Sequence, residues 1–313
     1  MLISKQFNDI EEFSELTREW DLDFRQTQAG ELEAALVQHV QPDLQFAFAS
    51  FSHCITQRGV SPGVGRTFAL LDRVSPLEWC GQAVDGDTLM AFDPSGSFES
   101  ISAPGFSVFT LTIPEATWQA ALDRIIQWRD RNDLCEPTLF RARPELVHQL
   151  RQRLRAYRCH ILGYTWTGSN TVIDGTDCID ELFGVIDDDP RSRTYPGDRS
   201  APRRVRALSR AREFIEASGG EKVTVAKLCE ATGVSERTLQ YAFREHTGQS
   251  PKSYIRSYRL DRVRHALRKA DGETVGAIAR RWGFHHLGQF ARYYRQQFGE
   301  LPSVTAYPDR MEF

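Results

Sequence analysis

The sequence predicts an α+β fold: an N-terminal β-barrel or sandwich with flanking helices, then an all-α domain with two helix-turn-helix units. Three observations lead to this prediction. Short apolar or alternating runs, broken by turn residues, extend from about residue 22 to residue 113. After Pro114 the apolar period changes to that of helices. One helix-turn-helix pattern then appears twice in the last hundred or so residues.

Alternation and turn signals define the strand region. In one run, Leu44, Phe46 and Phe48 fall on a single face of a strand. Clusters of Gly, Pro and Asp near 61–65, 85–87 and 93–96 indicate turns. Further strands are predicted at 66–74, 77–84, 88–92 and 107–113. Many short strands at this spacing are typical of a sandwich or a barrel.

Two helices are predicted after the strands. The first covers 115–129, and the second begins at Pro144, a residue suited to the first helical position. An apolar stripe over 146–161 of the second helix either pairs with a second subunit or packs on its own barrel. We favour pairing, because a dimer adds avidity. The other side is predicted to be solvated, and it holds Arg151, Arg153, Arg155 and Arg158.

Charge divides the chain into two parts. The net charge is −3, but residues 201–313 contain 21 Lys+Arg and 12 Asp+Glu, a balance of +9. The rest of the chain holds the other 18 Lys+Arg and 30 Asp+Glu, a balance of −12. Such asymmetry indicates a basic part that meets a polyanion and an acidic part that a polyanion would repel.

A segment without apolar period separates the two parts. It begins with three aspartates from Asp187 and contains Pro190 and Pro196. We therefore predict an N-terminal domain at 1–187, a linker at 188–202 and a C-terminal domain at 203–313.

The composition also argues against several protein classes. The six cysteines are scattered without a Cys-x-x-Cys pair, which favours free thiols in a reducing cytosol over disulfides or a zinc site. The first residues lack an apolar signal region, and no apolar run approaches a membrane span. We expect a soluble, cytoplasmic protein with no membrane association.

The repeated pattern combines apolar positions, a glycine turn and a closing proline. Matching positions lie 50 residues apart before the turn and 51 apart after it, so the second turn has one extra residue. The first copy includes Leu228, Gly233, Leu239, Phe243 and Pro251. The second copy includes Ile278, Gly283, Phe290, Tyr294 and Pro302.

In the first unit, Thr224 and Ser235 are predicted N-caps, and Gly233 occupies the turn position that needs positive φ. Arginine suits guanine edges, glutamine suits adenine, and Thr or Tyr reaches bases or phosphates. An exposed helix needs polar residues anyway, so the helix is a stronger prediction than any one residue. The candidate contacts of the first unit are Arg237, Thr238, Gln240, Tyr241 and Arg244.

The second unit repeats this arrangement, with Thr274 as N-cap and Gly283 at the turn. Its candidate contacts are His285, His286, Gln289, Arg292 and Arg295. Adjacent histidines on a loop, without Cys or carboxylate partners at ligand spacing, rarely bind metal. We therefore predict no metal site and no cofactor.

A long helix over 251–270 is predicted to connect the two units, with an apolar stripe that includes Ile255, Tyr258 and Val263. A rigid connector would hold the two outer helices in a fixed relation. If they lie about 34 Å apart, both can enter successive major grooves on one face of double-stranded DNA.

These segments resemble the AraC/XylS transcriptional regulators. The resemblance is carried by Gly-x-Ser-x-Arg-x-Leu-x-x-x-Phe at 233–243, Gly-x-Ser-Pro-x-x-Tyr-x-x-x-x-Arg-Leu at 248–260, and Gln-Phe-x-Arg-x-x-Arg within 278–303. It implies an N-terminal domain that senses a signal or dimerises, often a small barrel of cupin type followed by helices. Cys229, Leu301 and the turn at 285–288 depart from the usual pattern, which leaves the base preference of the second unit open.

A ligand pocket inside such a barrel would be lined by inward aromatic and small polar groups. The candidates for effector binding are Phe46, Phe48, Trp79, Phe92 and Phe98, although for each one taken alone filling the core is the favoured role. Only His39 and His53 fall in the strand region, which argues against a metal enzyme of the cupin type.

The sequence thus predicts a transcriptional regulator, as a ligand-responsive activator that binds double-stranded DNA as a homodimer and contacts RNA polymerase. A DNA-tethered enzyme is the rival from another class, but no nucleophile–base pair, phosphate-binding glycine loop or metal set supports it. A DNA-binding regulator controlled by abundance or by a protein partner, with no small-molecule effector, remains the alternative.

Overall fold

The computed structural model describes residues 1–17, 20–61, 63–73, 75–93, 97–124, 138–164, 174–188, 203–218, 223–269 and 273–307. Over these residues the N-terminal domain combines strands with four helices, and the C-terminal domain is helical. The strands are β1 (Leu2–Phe7), β2 (Asp21–Gln26), β3 (Ala34–Val40), β4 (Gln45–Phe51), β5 (Ile55–Val60), β6 (Gly65–Leu71), β7 (Leu77–Trp79), β8 (Gln82–Val84), β9 (Thr88–Ala91), β10 (Ser97–Ser102), β11 (Phe106–Pro114) and β12 (Thr138–Arg141). The helices are α1 (Ile10–Leu16), α2 (Glu115–Arg124), α3 (Pro144–Ile161), α4 (Gly175–Asp188), α5 (Arg203–Ala217), α6 (Val225–Thr232), α7 (Glu236–Thr247), α8 (Pro251–Lys269), α9 (Val275–Arg281), α10 (Leu287–Phe298) and α11 (Pro302–Ala306).

The strands form two antiparallel sheets that pack face to face. The seven-stranded sheet has the order β1-β3-β4-β11-β6-β9-β12, and the five-stranded sheet has the order β2-β5-β10-β7-β8. Phe51 and Phe106 of the first sheet meet Trp79 and Phe98 of the second in one buried cluster. This confirms the predicted sheet-rich N-terminal domain and helical C-terminal domain.

A second apolar layer covers the outer face of the seven-stranded sheet. Phe46 and Phe109 of the sheet pack with Trp118 of α2, Leu150 of α3 and Phe183 of α4. Sequence analysis did not predict α4, although its apolar residues recur at helical spacing from Cys178 onward. The predicted helix at 115–129 is described only as far as Arg124.

The predicted strand at 77–84 is wrong, because this segment is a hairpin. Strand β7 ends at Trp79 and β8 begins at Gln82. Cys80 (φ 49°) and Gly81 (φ 76°) form the two-residue turn between them. Positive φ at both central residues is the signature of a tight hairpin, whose twist suits the flanking strands.

Both predictions for the surface of α3 need correction. Its apolar stripe packs on its own subunit, since Val147, Leu150 and Leu154 are buried against the sheet and α4. A dimer seam along this stripe is therefore wrong. The arginine side is not a solvated face either: Arg151 is buried and its guanidinium donates to the Leu71 carbonyl (Nε–O 2.9 Å).

The predicted linker, 188–202, lies outside the described residues except for Asp188, which ends α4. The five cysteines of the described chain are free, and Cys135 lies outside it. No described helix is long and apolar enough to cross a membrane.

Helix α8 divides the C-terminal domain into two cores. Its first half contributes Ile255 and Tyr258 to a core with α5, α6 and α7. Its second half contributes Leu260, Val263 and Leu267 to a core with α9 and α10. The predicted connector is thus a shared structural element of both units.

The two domains are packed together. Cys54 and Ile101, both on the five-stranded-sheet side of the N-terminal domain, are buried in the core of the first helical unit. Ion pairs also join the two domains: Asp9 binds Arg264 (3.0 Å) and Arg268, and Glu11 also binds Arg268. Arg264 and Arg268 of the connector α8 are therefore used between the domains.

A buried charged cluster lies at the same boundary. Arg212 of α5 is 2% exposed and is paired with Glu99 of β10. Burial raises the pKa of Glu78 on β7 to about 7; Arg212 opposes this shift and Glu99 adds to it.

Replacing Glu78 with Gln tests this cluster through the pH dependence of stability. Because the folded-state pKa of Glu78 lies above its ordinary value of 4.5, the folded protein binds more proton between these values. Wild-type stability should therefore fall as pH rises from about 4.5 through about 7. We expect Glu78→Gln to remove about 1–3 kcal/mol of this decline.

The measurement is the free energy of unfolding by urea at several pH values. Glu145→Gln, at an exposed acid in the first turn of α3, is the matched control and should keep the wild-type slope. An unchanged slope in Glu78→Gln would show that this carboxyl does not titrate abnormally.

Candidate nucleic-acid interface

The first helix-turn-helix unit is α6 followed by α7, and its local signals are those that the sequence predicts. Thr224 caps α6 by accepting from the Lys227 N–H (3.3 Å), and Ser235 caps α7 by accepting from the Thr238 N–H (3.2 Å). Gly233 lies between the helices with φ 67°. A side chain is strained in this left-handed conformation, which explains glycine at the turn.

The buried residues of α7 determine which of its other residues face away from the core. Leu239, Ala242 and Phe243 are fully buried in the first core. The helical period therefore turns the intervening positions away from the core. Of the predicted contacts, Arg237, Tyr241 and Arg244 are exposed, and Thr238 and Gln240 are half-buried.

Several of these side chains are already held by neighbours on the same helix. The Arg237 guanidinium donates to the Tyr241 hydroxyl (3.5 Å) and lies 5.7 Å from the centre of its ring. The Gln240 amide donates to Glu236 (3.2 Å), and the Thr238 hydroxyl contacts the Ser235 cap (2.9 Å). Contacts at i,i+3 and i,i+4 hold side chains on one helix face.

The second unit is α9 followed by α10. Thr274 caps α9 by accepting from the Ala277 N–H (3.2 Å), and Gly283 makes the turn with φ 82°. His286 occupies the N-cap position of α10 without a side-chain capping bond. Phe290 and Tyr294 are buried in the second core. All five predicted contacts are exposed: His285, His286, Gln289, Arg292 and Arg295.

Sequence analysis missed Tyr293, which lies among these candidates. The Gln289 side-chain amide donates to its hydroxyl (3.0 Å), and the Arg292 guanidinium lies 5.5 Å from its ring centre. Arg256 of α8 lies 4.5 Å from the same ring. Tyr293 thus links α8 to two predicted contacts of α10. Tyr293 lies four positions after Gln289, and this helical spacing could have predicted their contact from the sequence. The contact with Arg256 of α8 could not be predicted, because it depends on the tertiary structure.

The predicted effector residues fall in two layers. Phe46 and Phe48 lie between the seven-stranded sheet and its helices. Trp79, Phe92 and Phe98 lie between the sheets, around a cavity of about 50 Å³. Ligand sites for drug-sized molecules usually occupy about 300–1,000 Å³. The structure therefore does not bring the five residues together around one cavity of that size.

No group of three or more His, Cys, Asp or Glu side chains in the described part of the chain is placed to bind a metal ion. His285 and His286 are exposed on the turn of the second unit. The exposed candidate residues of α7 and α10 supply hydrogen-bond donors, cations and an aromatic ring.

The C-terminal domain is similar in sequence to domains of known proteins. A family model described as "Helix-turn-helix domain" matches residues 228–306. The chain is 38% identical over 124 residues to the "Probable thc operon regulatory protein" of Rhodococcus erythropolis, covering 39% of this chain and 36% of that protein. It is 39% identical over 101 residues to the "XylDLEGF operon transcriptional activator" of Pseudomonas putida, covering 32% of each.

The chain thus spans about a third of the length of the curated relatives that it matches. A crystal structure of "a probable AraC family transcriptional regulator from Rhodopseudomonas palustris CGA009" is 39% identical, with 33% of this chain and 97% of that chain covered and a TM-score of 0.32. Residues 228–306 thus form a helix-turn-helix domain whose sequence is similar to that of operon regulators of the AraC/XylS type.

Proposed function

We propose that this protein is a sequence-specific DNA-binding transcriptional regulator that places α7 and α10 in successive major grooves. One observation carries the proposal: two helix-turn-helix units share the single helix α8, and each presents an exposed polar helix face. A major groove admits one α-helix, and one turn of DNA separates successive grooves on the same face by about 34 Å.

The ten predicted contacts stay the candidates for this role, five on each unit. Arg237 and Arg292 are exposed, one in each of the two helices, and guanidinium groups pair best with guanine edges. Gln289, whose amide is bonded to Tyr293, is the candidate for adenine. We assign Tyr293 a positioning role, because it touches both Gln289 and Arg292.

We further propose that the protein is an activator that works in the cytoplasm, with RNA polymerase as a second partner. The Pseudomonas putida relative is an operon transcriptional activator, which supports this direction of regulation. We also propose that the protein responds to a small-molecule effector and that it forms a homodimer. The dimer would use a surface other than the apolar stripe of α3, since that stripe is buried within the subunit.

A regulator controlled by abundance or by a protein partner is the second candidate. The small cavity between the sheets favours it, because about 50 Å³ holds no drug-sized effector among Trp79, Phe92 and Phe98. A larger groove of about 590 Å³ at one end of the seven-stranded sheet instead favours control by a small-molecule effector.

The experiment that tests the function is a footprint of the purified protein on DNA upstream of its own gene and of the neighbouring genes. Protection of about two adjacent major grooves per subunit is expected, because both recognition helices would bind together. Failure to bind any fragment better than random DNA, with and without cell extract as a source of effector, would contradict the proposal.

Single arginine replacements test the assignment of base contacts. We expect Arg237→Ala or Arg292→Ala to weaken binding to the protected DNA by about 1–3 kcal/mol, since a bidentate base contact is lost, and to affect random DNA much less. Fluorescence anisotropy with both DNAs measures the two losses. Arg143→Ala, at an arginine of the N-terminal domain paired with Asp188, is the control and should change neither. Equal losses on both DNAs would show that the arginines touch phosphate only.

A further inference from the structure

A groove of about 590 Å³ opens at one end of the seven-stranded sheet. Neighbouring strands β1, β3, β4, β11 and β6 all have an end there, and α3 forms one side through Arg158. Its apolar lining comes from four phenylalanines, and its polar lining includes three serines. The phenylalanines are Phe7, Phe48, Phe51 and Phe106, and the serines are Ser50, Ser52 and Ser107. The volume falls in the usual range of small-molecule sites.

Two arginines, Arg158 and Arg73, bring positive charge to this groove. Arg158 lies with its guanidinium 4.0 Å from the ring centre of Phe48. In the described part of the chain neither Arg158 nor Arg73, which also lines the groove, has an ion-pair partner. The carboxylate of Asp72 is occupied by Arg155 (2.6 Å), and Glu33 lies exposed at the rim. The other three arginines of α3 all bind protein oxygens: Arg151, Arg153 and Arg155.

A guanidinium that is half-buried on an aromatic ring, in a groove that a second arginine also lines, suits a bidentate anion. The phenylalanine lining suits an apolar body attached to that anion. We propose that this groove is a binding site for a small organic carboxylate with an apolar tail, held by Arg158 and Arg73. The role of this ligand as the effector rests on the function proposed above; its binding does not.

A continuous set of contacts leads from the groove to α10. Ser52 in its wall accepts from the Glu33 N–H (2.8 Å) and bonds to Nδ1 of His53 (2.7 Å). Burial lowers the pKa of His53, and the ring also forms a hydrogen bond with the Ala29 backbone. A Cβ on the next residue, Gly30, would lie 2.3 Å from His53 Nε2, so the ring and the loop are in close contact.

This loop, residues 26–31, touches both helix-turn-helix units, and we name it the bridging loop. The Gly30 N–H donates to the carbonyl of Gln297 in α10 (3.2 Å). The Gln297 amide in turn donates to the carbonyls of Gln26 (3.1 Å) and Gln28 (3.3 Å). Gln249, just after α7, donates to the Thr27 carbonyl. A ligand that shifts Ser52 and His53 would therefore act on the ends of both recognition helices.

The binding step is tested with a panel of monocarboxylates from acetate to octanoate, with phenylacetate, and with the corresponding neutral amides. Thermal unfolding of the full chain is followed against concentration. At least one carboxylate with an apolar tail should stabilise the protein in a saturable way, and its amide should not. Arg158→Gln should weaken that binding about tenfold or more, because a charged hydrogen bond is lost. Arg143→Gln is the matched control and should bind as wild type.

Absence of a saturable shift with every carboxylate, or equal shifts in wild type and Arg158→Gln, would overturn the site. A shift that an amide reproduces would overturn the carboxylate assignment.

The coupling step is tested by hydrogen exchange of residues 295–301, with and without the best carboxylate. We expect wild type to change its exchange there by about fivefold, the lower end of ordinary coupling. His53→Ala should still bind the carboxylate but lose this change, and His148→Ala, at an exposed histidine of α3, should keep it. The same exchange in wild type and His53→Ala would overturn the route. Neither readout involves DNA, so failure here is separate from failure of the footprint.

Discussion

The packing of α8 into two cores is the constraint on which the rest of the structure depends. Ile255 and Tyr258 complete the core beneath α7, and Val263 and Leu267 complete the core beneath α10. Neither recognition helix can move far relative to α8 without opening a core. Because protein interiors are close-packed, the two exposed faces are held in one relation by the connector.

The N-terminal domain also contacts α8. Arg264 of α8 is buried and binds Asp9 and Glu300, so one side chain joins the α1 N-cap to the end of the second unit. Although burial opposes it, Arg264 and Arg268 hold the pKa of Asp9 below its ordinary value. The N-terminal domain is therefore part of the support of both helix-turn-helix units, and a change in it has a direct physical route to α7 and α10.

The caps, the turn glycines and the inward apolar positions of both units could be predicted because their signals are local. Thr224, Ser235 and Thr274 bond to residues three positions away. The arginines of α3 were misassigned because their partners lie far along the chain: the Leu71 carbonyl for Arg151 and Asp72 for Arg155. The bridging loop was missed for the same reason. Gln26 and Gln297 are 271 residues apart and carry no motif that joins them.

The central claim is that one rigid connector makes the two recognition helices read DNA together. The most direct test is to insert about five base pairs between the two protected grooves, which rotates one of them by about half a turn. The account predicts that affinity falls to that of DNA carrying only one of the two segments, because α7 and α10 can no longer bind at once. Unchanged affinity for the lengthened site would contradict it, since the two units would then be joined flexibly.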